Sequence, residues 1–152
     1  MSSDPNSNIS AQELLRSARV EVAPETFTLI SLSREHFVRL LDNSDLSPRV
    51  GAPFTIFYDR YEVTLMLDQA DFKTLEHAVG DARVEGGFRM LTFDLVLEFS
   101  VVGFIAEVSR ILAEAKISIL PLSAFSRDHV LIKQEHMAAA LKALGEYAGD
   151  LC

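Results

Sequence analysis

The second half of the chain places an amphipathic helix between β-strand patterns, and this order limits the fold more than any other feature. Residues 88–99 (FRMLTFDLVLEF) alternate apolar and polar side chains, apart from the neighbours Met90 and Leu91 and the apolar run at residues 95–97, which is typical of a strand. Ser100 is a candidate N-cap for the helix that follows. Residues at helical spacing give that helix one broad apolar stripe: Val101, Phe104, Ile105, Val108, Ile111, Leu112 and Ala115.

Two short strands and a helix follow the striped helix. Residues 116–120 (KISIL) and 128–133 (DHVLIK) are rich in β-branched side chains, with a turn at residues 123–127 (SAFSR) between them. Residues 134–149 predict a helix that ends near Gly149. Four of its residues are expected to face inward: Met137, Ala140, Leu141 and Leu144.

The β-α-β-β-α order predicts an α+β, ferredoxin-like fold. A right-handed crossover is expected between residues 88–97 and 117–122. The strand that starts at Asp128 can then insert antiparallel between these two strands, which is the split βαβ arrangement with helices on one face of the sheet.

The first half repeats this order in a weaker form. Residues 25–33 (ETFTLISLS) predict a strand, and Ser33 is a candidate cap for a helix that carries Phe37, Leu40 and Leu41 on one face. A hairpin around Asp59 and Arg60 joins PFTIFYD to YEVTLMLD. The segment ADFKTLEHAV predicts a second helix, with an apolar face formed by Phe72, Leu75 and Val79.

Two breaks in this pattern divide the chain into three parts. Residues 1–10 (MSSDPNSNIS) are polar and predict a disordered tail. Residues 11–82 form a degenerate copy of the fold, although AQELLRSARVEV fits either a short helix or an early strand. The glycine-rich segment VGDARVEGG marks the start of the second copy, residues 83–152.

Composition excludes several classes of function. The chain has 152 residues and 49% apolar residues, enough for a packed core, while 14 basic and 22 acidic residues give a net charge of -8. This charge disfavours nucleic acid and membrane surfaces as partners. Cys152 is the only cysteine, the four histidines are far apart, and no secretory or membrane-spanning segment is recognisable. We therefore expect a cytoplasmic protein without a metal or a cofactor.

The segment from Ser118 to His136 contains nucleophile, acid and base types but does not predict an enzyme. Asp128 and His129 are adjacent in a predicted strand, so their side chains point to opposite faces. No G-x-S-x-G motif is present, and VEGGF is too short for a phosphate-binding loop. His129 is interpreted as structural, and Ser126 and Arg127 as solvated turn residues.

Three short motifs between Glu98 and Leu144 resemble the ACT domain, and among its members the CASTOR-type tandem ACT proteins of bacteria. VVG, AEAKISI and SAFSRDHVLI correspond to LVG, AEAGISI and STFDTDYILV in those proteins. In the first half, PFTIFYDRYEVTLML is similar to PFFSITRTPDELSIV. Two positions depart from the family pattern, with Ala124 in place of Thr and Lys116 in place of Gly.

The resemblance implies a tandem ACT protein that binds a small effector and is not an enzyme. In such proteins an amino acid lies between a helix start and a strand-to-strand turn, often in a homodimer. Carried over by position, these ligand-binding residues are Val102, Gly103, Ser123, Ala124, Phe125 and Asp128. The alternative is an ACT-fold structural or protein-interaction module that binds no ligand.

Each of three residues in this set has a structural explanation beside the ligand role. Gly103 lets a carboxylate approach the helix amides, or it permits close helix–strand packing. Asp128 pairs with an ammonium group, or it caps its own turn. Phe125 covers an apolar stem, or it belongs to the core.

Overall fold

The structure, a computed structural model, describes residues 9–43 and 51–152. In chain order the elements are α1 (Ala11–Ser17), β1 (Arg19–Val22), β2 (Phe27–Leu32), α2 (Arg34–Leu41), β3 (Thr55–Tyr58), β4 (Val63–Asp68), α3 (Gln69–Leu75), β5 (Arg83–Asp94), α4 (Phe104–Glu114), β6 (Leu120–Ser123), β7 (Asp128–Lys133), α5 (Met137–Gly145) and β8 (Asp150–Leu151). Short 3₁₀ turns follow α3 and precede α5.

The described residues form two compact units. The terminal unit contains residues 9–24 and Arg89–Cys152, and the inserted unit is Glu25–Phe88. The terminal unit is therefore built from two segments of chain that flank the inserted unit. The division drawn from sequence assigns residues 11–24 and 83–88 differently. Most of the predicted N-terminal tail lies outside the described residues.

The terminal unit has the predicted split βαβ order. β7 pairs with both β5 and β6, and its pairing with β6 is antiparallel, so β7 lies between the strands that flank α4. β1 pairs antiparallel with β5 and parallel with β8. The α+β, ferredoxin-like fold class is therefore confirmed. The fully buried side chains of this core include Val20, Leu91, Phe93, Val108, Leu112, Val130, Ile132 and Leu144.

The inserted unit follows the predicted strand, helix, hairpin, helix order. β2 pairs antiparallel with β4, and β3 pairs antiparallel with β4 through the expected turn at Asp59. Ser33 caps α2 as predicted, but Leu41 is 64% exposed, so its assignment to the apolar face was wrong. The unit has its own small core: Ile30, Leu32, Val63, Leu65, Leu67, Leu75 and Val79.

Glycines mark two places where the backbone departs from the predicted elements. The segment VGDARVEGG, predicted to be a boundary, ends directly before Phe88, the last residue of the inserted unit, and its final glycine, Gly87, lies inside β5 with φ +78°, where the register with β2 shifts. α4 begins at Phe104 with Gly103 as its N-cap residue, so Ser100 is not the cap.

The observed ends of β5, β6 and α5 differ from the predicted ones. β5 ends at Asp94, where the Leu95 amide donates to the Phe93 carbonyl at 2.8 Å. The strand predicted at KISIL starts only at Leu120, because residues 115–117 close the end of α4 and Lys116 has φ +60°. α5 ends at Gly145 and not near Gly149. The segment AQELLRSARVEV contains both alternatives in succession, α1 and then β1.

Candidate ligand-binding site

Two loops of the terminal unit enclose a cavity of about 350 Å³. One loop leads from β5 into the start of α4, and the other is the turn between β6 and β7. The cavity lining includes five of the six residues predicted from sequence: Gly103, Ser123, Ala124, Phe125 and Asp128. Val102 is 88% exposed and does not line the cavity.

The β6–β7 turn fixes the position of Asp128. Ser123 and Asp128 are partners at the end of the ladder, and the Ala124 amide donates to the Arg127 carbonyl at 2.9 Å to close the turn. The Ser123 hydroxyl donates to Asp128 Oδ1 at 2.6 Å. A hydroxyl that donates to one carboxylate oxygen leaves acceptor capacity on the group for a ligand cation.

Contacts between the two loops hold the cavity walls together. The Leu97 amide donates to the Ser126 carbonyl at 2.8 Å, and Arg127 Nε donates to Asp94 Oδ1 at 2.8 Å. The rings of Phe99 and Phe125 meet edge to face, with centroids 4.9 Å apart. Phe125 is 81% exposed, so it is not a core residue.

Phe99 lines the cavity but was not among the predicted site residues. In the sequence it is the last apolar position of residues 88–99, which predict a strand. The early end of β5 at Asp94 moves Phe99 into the loop. No sequence signal distinguishes these two placements, because apolar residues continue past the end of the observed strand.

Gly103 leaves the start of α4 accessible. Its φ of +88° lies in the left-handed region, and a Cβ there would meet only Ala11 Cβ, at 3.9 Å. The backbone conformation, and not close packing, therefore requires glycine at this position. The residue provides no side-chain cap, and the first-turn residues Phe104 and Ile105 also line the cavity. The first amides of a helix have no partner within the helix and carry its positive dipole end.

The cavity therefore combines a positive helix end with carboxylates. Asp128 and Glu98 belong to its lining, whereas the guanidinium of the lining residue Arg127 is already paired with Asp94. A zwitterion fits this arrangement, since its two charges need opposite partners a short distance apart.

His129 lies outside the cavity lining. Its Nδ1 is 2.9 Å from the Thr92 hydroxyl, and burial lowers the pKa of the imidazole while the neighbouring Asp128 opposes that shift. The structural interpretation of His129 stays a prediction, with Thr92 as its partner.

Residues 9–43 and 51–152 contain no cluster of three or more His, Cys, Asp or Glu side chains suited to a metal ion. In the same residues, none of the helices combines the length and the apolar character that crossing a bilayer requires.

Residues 83–146 match the model of the ACT domain family. This part of the chain is therefore similar to an ACT domain. No curated protein matches the sequence. Solved structures with a similar fold include a protein from Agobacterium tumefaciens, at 17% identity and a TM-score of 0.70, with 90% of this chain and 92% of that chain covered.

Two further structures have a similar fold. A protein of unknown function from Vibrio cholerae is 24% identical, with a TM-score of 0.65 and coverage of 91% and 96% of the two chains. The ligand-free regulatory subunit of aspartate kinase from Thermus thermophilus is 15% identical, with a TM-score of 0.60 and coverage of 88% and 98%. At these identities the likeness establishes the fold alone.

Proposed function

We propose that this protein is a non-catalytic, cytoplasmic regulator that senses a free amino acid through its ACT domain, as a tandem protein of the CASTOR type. One observation carries the proposal. Five residues chosen from sequence line a single cavity at the start of α4. The Thermus relative is a regulatory subunit, which supports a regulatory role for this chain.

The cavity suggests how an amino acid binds. The ligand α-carboxylate accepts hydrogen bonds from the first amides of α4, which Gly103 leaves accessible. Its ammonium group pairs with Asp128, which Ser123 holds in place. Phe125 and Phe99 cover the ligand side chain. A homodimer is part of the proposal, since the ACT units that this chain resembles bind their effectors at interfaces.

A thermal-shift screen with the twenty standard amino acids at millimolar concentration tests the proposal. A ligand at about 100 times its dissociation constant stabilises the fold by about 2.7 kcal/mol. For a chain of this length, that corresponds to a rise in melting temperature of about 5–10 °C. We expect at least one amino acid to produce such a rise.

Asp128→Asn is the diagnostic variant, because it keeps the shape and the Ser123 contact but removes the charge. We expect it to abolish the shift caused by the active amino acid. The matched control is Glu135→Gln, which removes one exposed negative charge of the same unit away from the cavity and should keep the shift. Failure of all twenty amino acids to stabilise the wild type would favour the ligand-free interaction module instead.

A further inference from the structure

Two phenylalanine rings of the cavity lining are exposed to solvent. Phe99 and Phe125 are 79% and 81% exposed, and each lies on one of the two loops that enclose the cavity. Their edge-to-face contact leaves most of both rings uncovered. Exposed apolar groups gathered at a cavity are typical of a binding surface, because covering them with a ligand is favourable.

Backbone hydrogen bonds on both sides of Phe99 fix its loop. The Leu97 amide donates to the Ser126 carbonyl at 2.8 Å, and the Val101 amide donates to the Glu98 carbonyl at 3.0 Å. Phe99 lies between these two bonds in the sequence, so its backbone is positioned before a ligand arrives. A ligand that covers its ring therefore loses little binding free energy to ordering the loop.

The apolar surface continues from the two rings into the cavity. Phe104 lines the cavity and is 3% exposed, and its ring meets that of Phe93 edge to face at a centroid distance of 5.4 Å. Leu97 and Ile105 also belong to the lining. An apolar ligand side chain in this space contacts apolar groups and leaves no polar group of its own without a partner.

An acidic ligand side chain has no free cation to pair with. Among the described residues that line the cavity, Arg127 alone carries a basic side chain, and its Nε already donates to Asp94 Oδ1 at 2.8 Å. The lining residues Glu98 and Asp128 are negatively charged. A second ligand carboxylate would therefore face like charges, which disfavours aspartate and glutamate.

A basic ligand side chain gains little from Glu98. This residue is exposed, and an ion pair in that setting contributes little because water screens it. The ligand cation would also have to lose water to lie against the rings of Phe99 and Phe125. Of the three kinds of side chain, the apolar one therefore matches the lining best.

We propose that the cavity selects amino acids with a large apolar side chain, and that Phe99 and Phe125 determine this specificity. The inference rests on the proposed function, in which the first amides of α4 and Asp128 bind the α-carboxylate and the ammonium group. The ligand side chain then packs against the two rings and becomes buried together with them. Leucine, isoleucine, methionine and phenylalanine meet this requirement.

Isothermal titration calorimetry of the full chain tests the selectivity with norleucine and lysine. Lysine is norleucine extended by an ammonium group, so the pair isolates the effect of charge. We expect norleucine to bind at least about tenfold more tightly than lysine, and glutamate to bind more weakly than both. Lysine that bound as tightly as norleucine would overturn the inference while leaving amino-acid sensing intact.

Truncating each ring identifies the residues responsible. Phe99→Ala and Phe125→Ala should each weaken norleucine binding by about tenfold, because the ligand side chain would bury less apolar surface. Both rings are exposed, so the melting temperature without ligand should stay close to that of the wild type. Val96→Ala is the matched control, since Val96 is 51% exposed in the same loop but does not line the cavity. It should keep the wild-type affinity.

Glu98→Gln separates recognition by the rings from recognition by charge. We expect this variant to bind norleucine as the wild type does. Loss of binding in Glu98→Gln, or wild-type affinity in both phenylalanine variants, would overturn the inference. Absence of binding by every amino acid would overturn the proposed function and the inference together, so the two failures are distinguishable.

Discussion

The two helices that follow a central strand begin in opposite ways. In the inserted unit, α2 starts at Ser33, whose hydroxyl accepts a hydrogen bond from the His36 amide at 3.1 Å. In the terminal unit, α4 starts at Gly103, which has no side chain to accept one. α2 has no fully buried residue, whereas α4 buries five: Phe104, Glu107, Val108, Ile111 and Leu112. Packing therefore holds α4 in place without a side-chain cap at its start.

The β3–β4 and β6–β7 turns also differ in what their aspartate side chains bind. In the β3–β4 turn, Asp59 Oδ1 accepts hydrogen bonds from the amides of Tyr61 and Glu62, at 2.7 and 2.8 Å, and these bonds lower the pKa of the carboxyl. In the β6–β7 turn, Asp128 accepts from the side chain of Ser123. The inserted unit thus uses its turn carboxylate to stabilise its own backbone, whereas in the terminal unit Ser123 and Asp128 line a cavity.

The largest expected effect on the free energy of unfolding comes from truncating a buried side chain of α4, compared with an exposed one of α2. Leu112→Ala on α4 removes a fully buried side chain and should lower the free energy of unfolding by about 2–5 kcal/mol. Leu41→Ala on α2 removes a side chain that is 64% exposed and should change it by less than about 0.5 kcal/mol. Urea denaturation measures both. Similar losses for the two variants would contradict the claim that packing holds α4.

A smaller effect is expected at the two helix starts. Gly103→Ala places a Cβ in the left-handed region and should cost about 1–2 kcal/mol. Gly103→Asn tolerates that conformation better and should be more stable than Gly103→Ala, but its side chain occupies the space that a ligand carboxylate needs. We expect the asparagine variant to lose the thermal shift produced by the active amino acid.

Ser33→Ala is the matched change in the inserted unit. It removes the cap of α2 and should cost about 1 kcal/mol. The amino-acid response should be unchanged, because Ser33 does not line the cavity beside α4. If Ser33→Ala lowered both the stability and the thermal shift caused by the amino acid, the two helix starts would not differ in function as proposed.

The smallest effect concerns pH. Burial lowers the pKa of His129 in the folded state, so the unfolded chain takes up a proton first as pH falls below about 6.5. The contribution of His129 to stability is therefore present at neutral pH and declines as pH falls through that range. Denaturation between pH 7 and 5 should show a shallower decline for His129→Gln than for wild type. His136→Gln, at an exposed position, should retain the wild-type slope.

Sequence pattern predicted the strand order of the terminal unit because period-two and helical spacing differ clearly there. The same pattern failed at Ser100 and Phe99, since a run of apolar residues does not reveal that the Leu95 amide turns back to Phe93. Five of the six candidate site residues meet at one cavity because they flank two adjacent loops. Val102 does not, because it precedes the left-handed Gly103, a conformation that spacing alone does not indicate.

An NMR titration with the twenty standard amino acids tests the central claim most directly, because it locates binding residue by residue. We expect at least one amino acid to shift the backbone amide signals of residues 103–106 and 124–128. The equivalent positions of the inserted unit, residues 33–36 and 59–62, should stay unperturbed. Shifts confined to the inserted unit, or no shift at residues 103–106 with any amino acid, would contradict it.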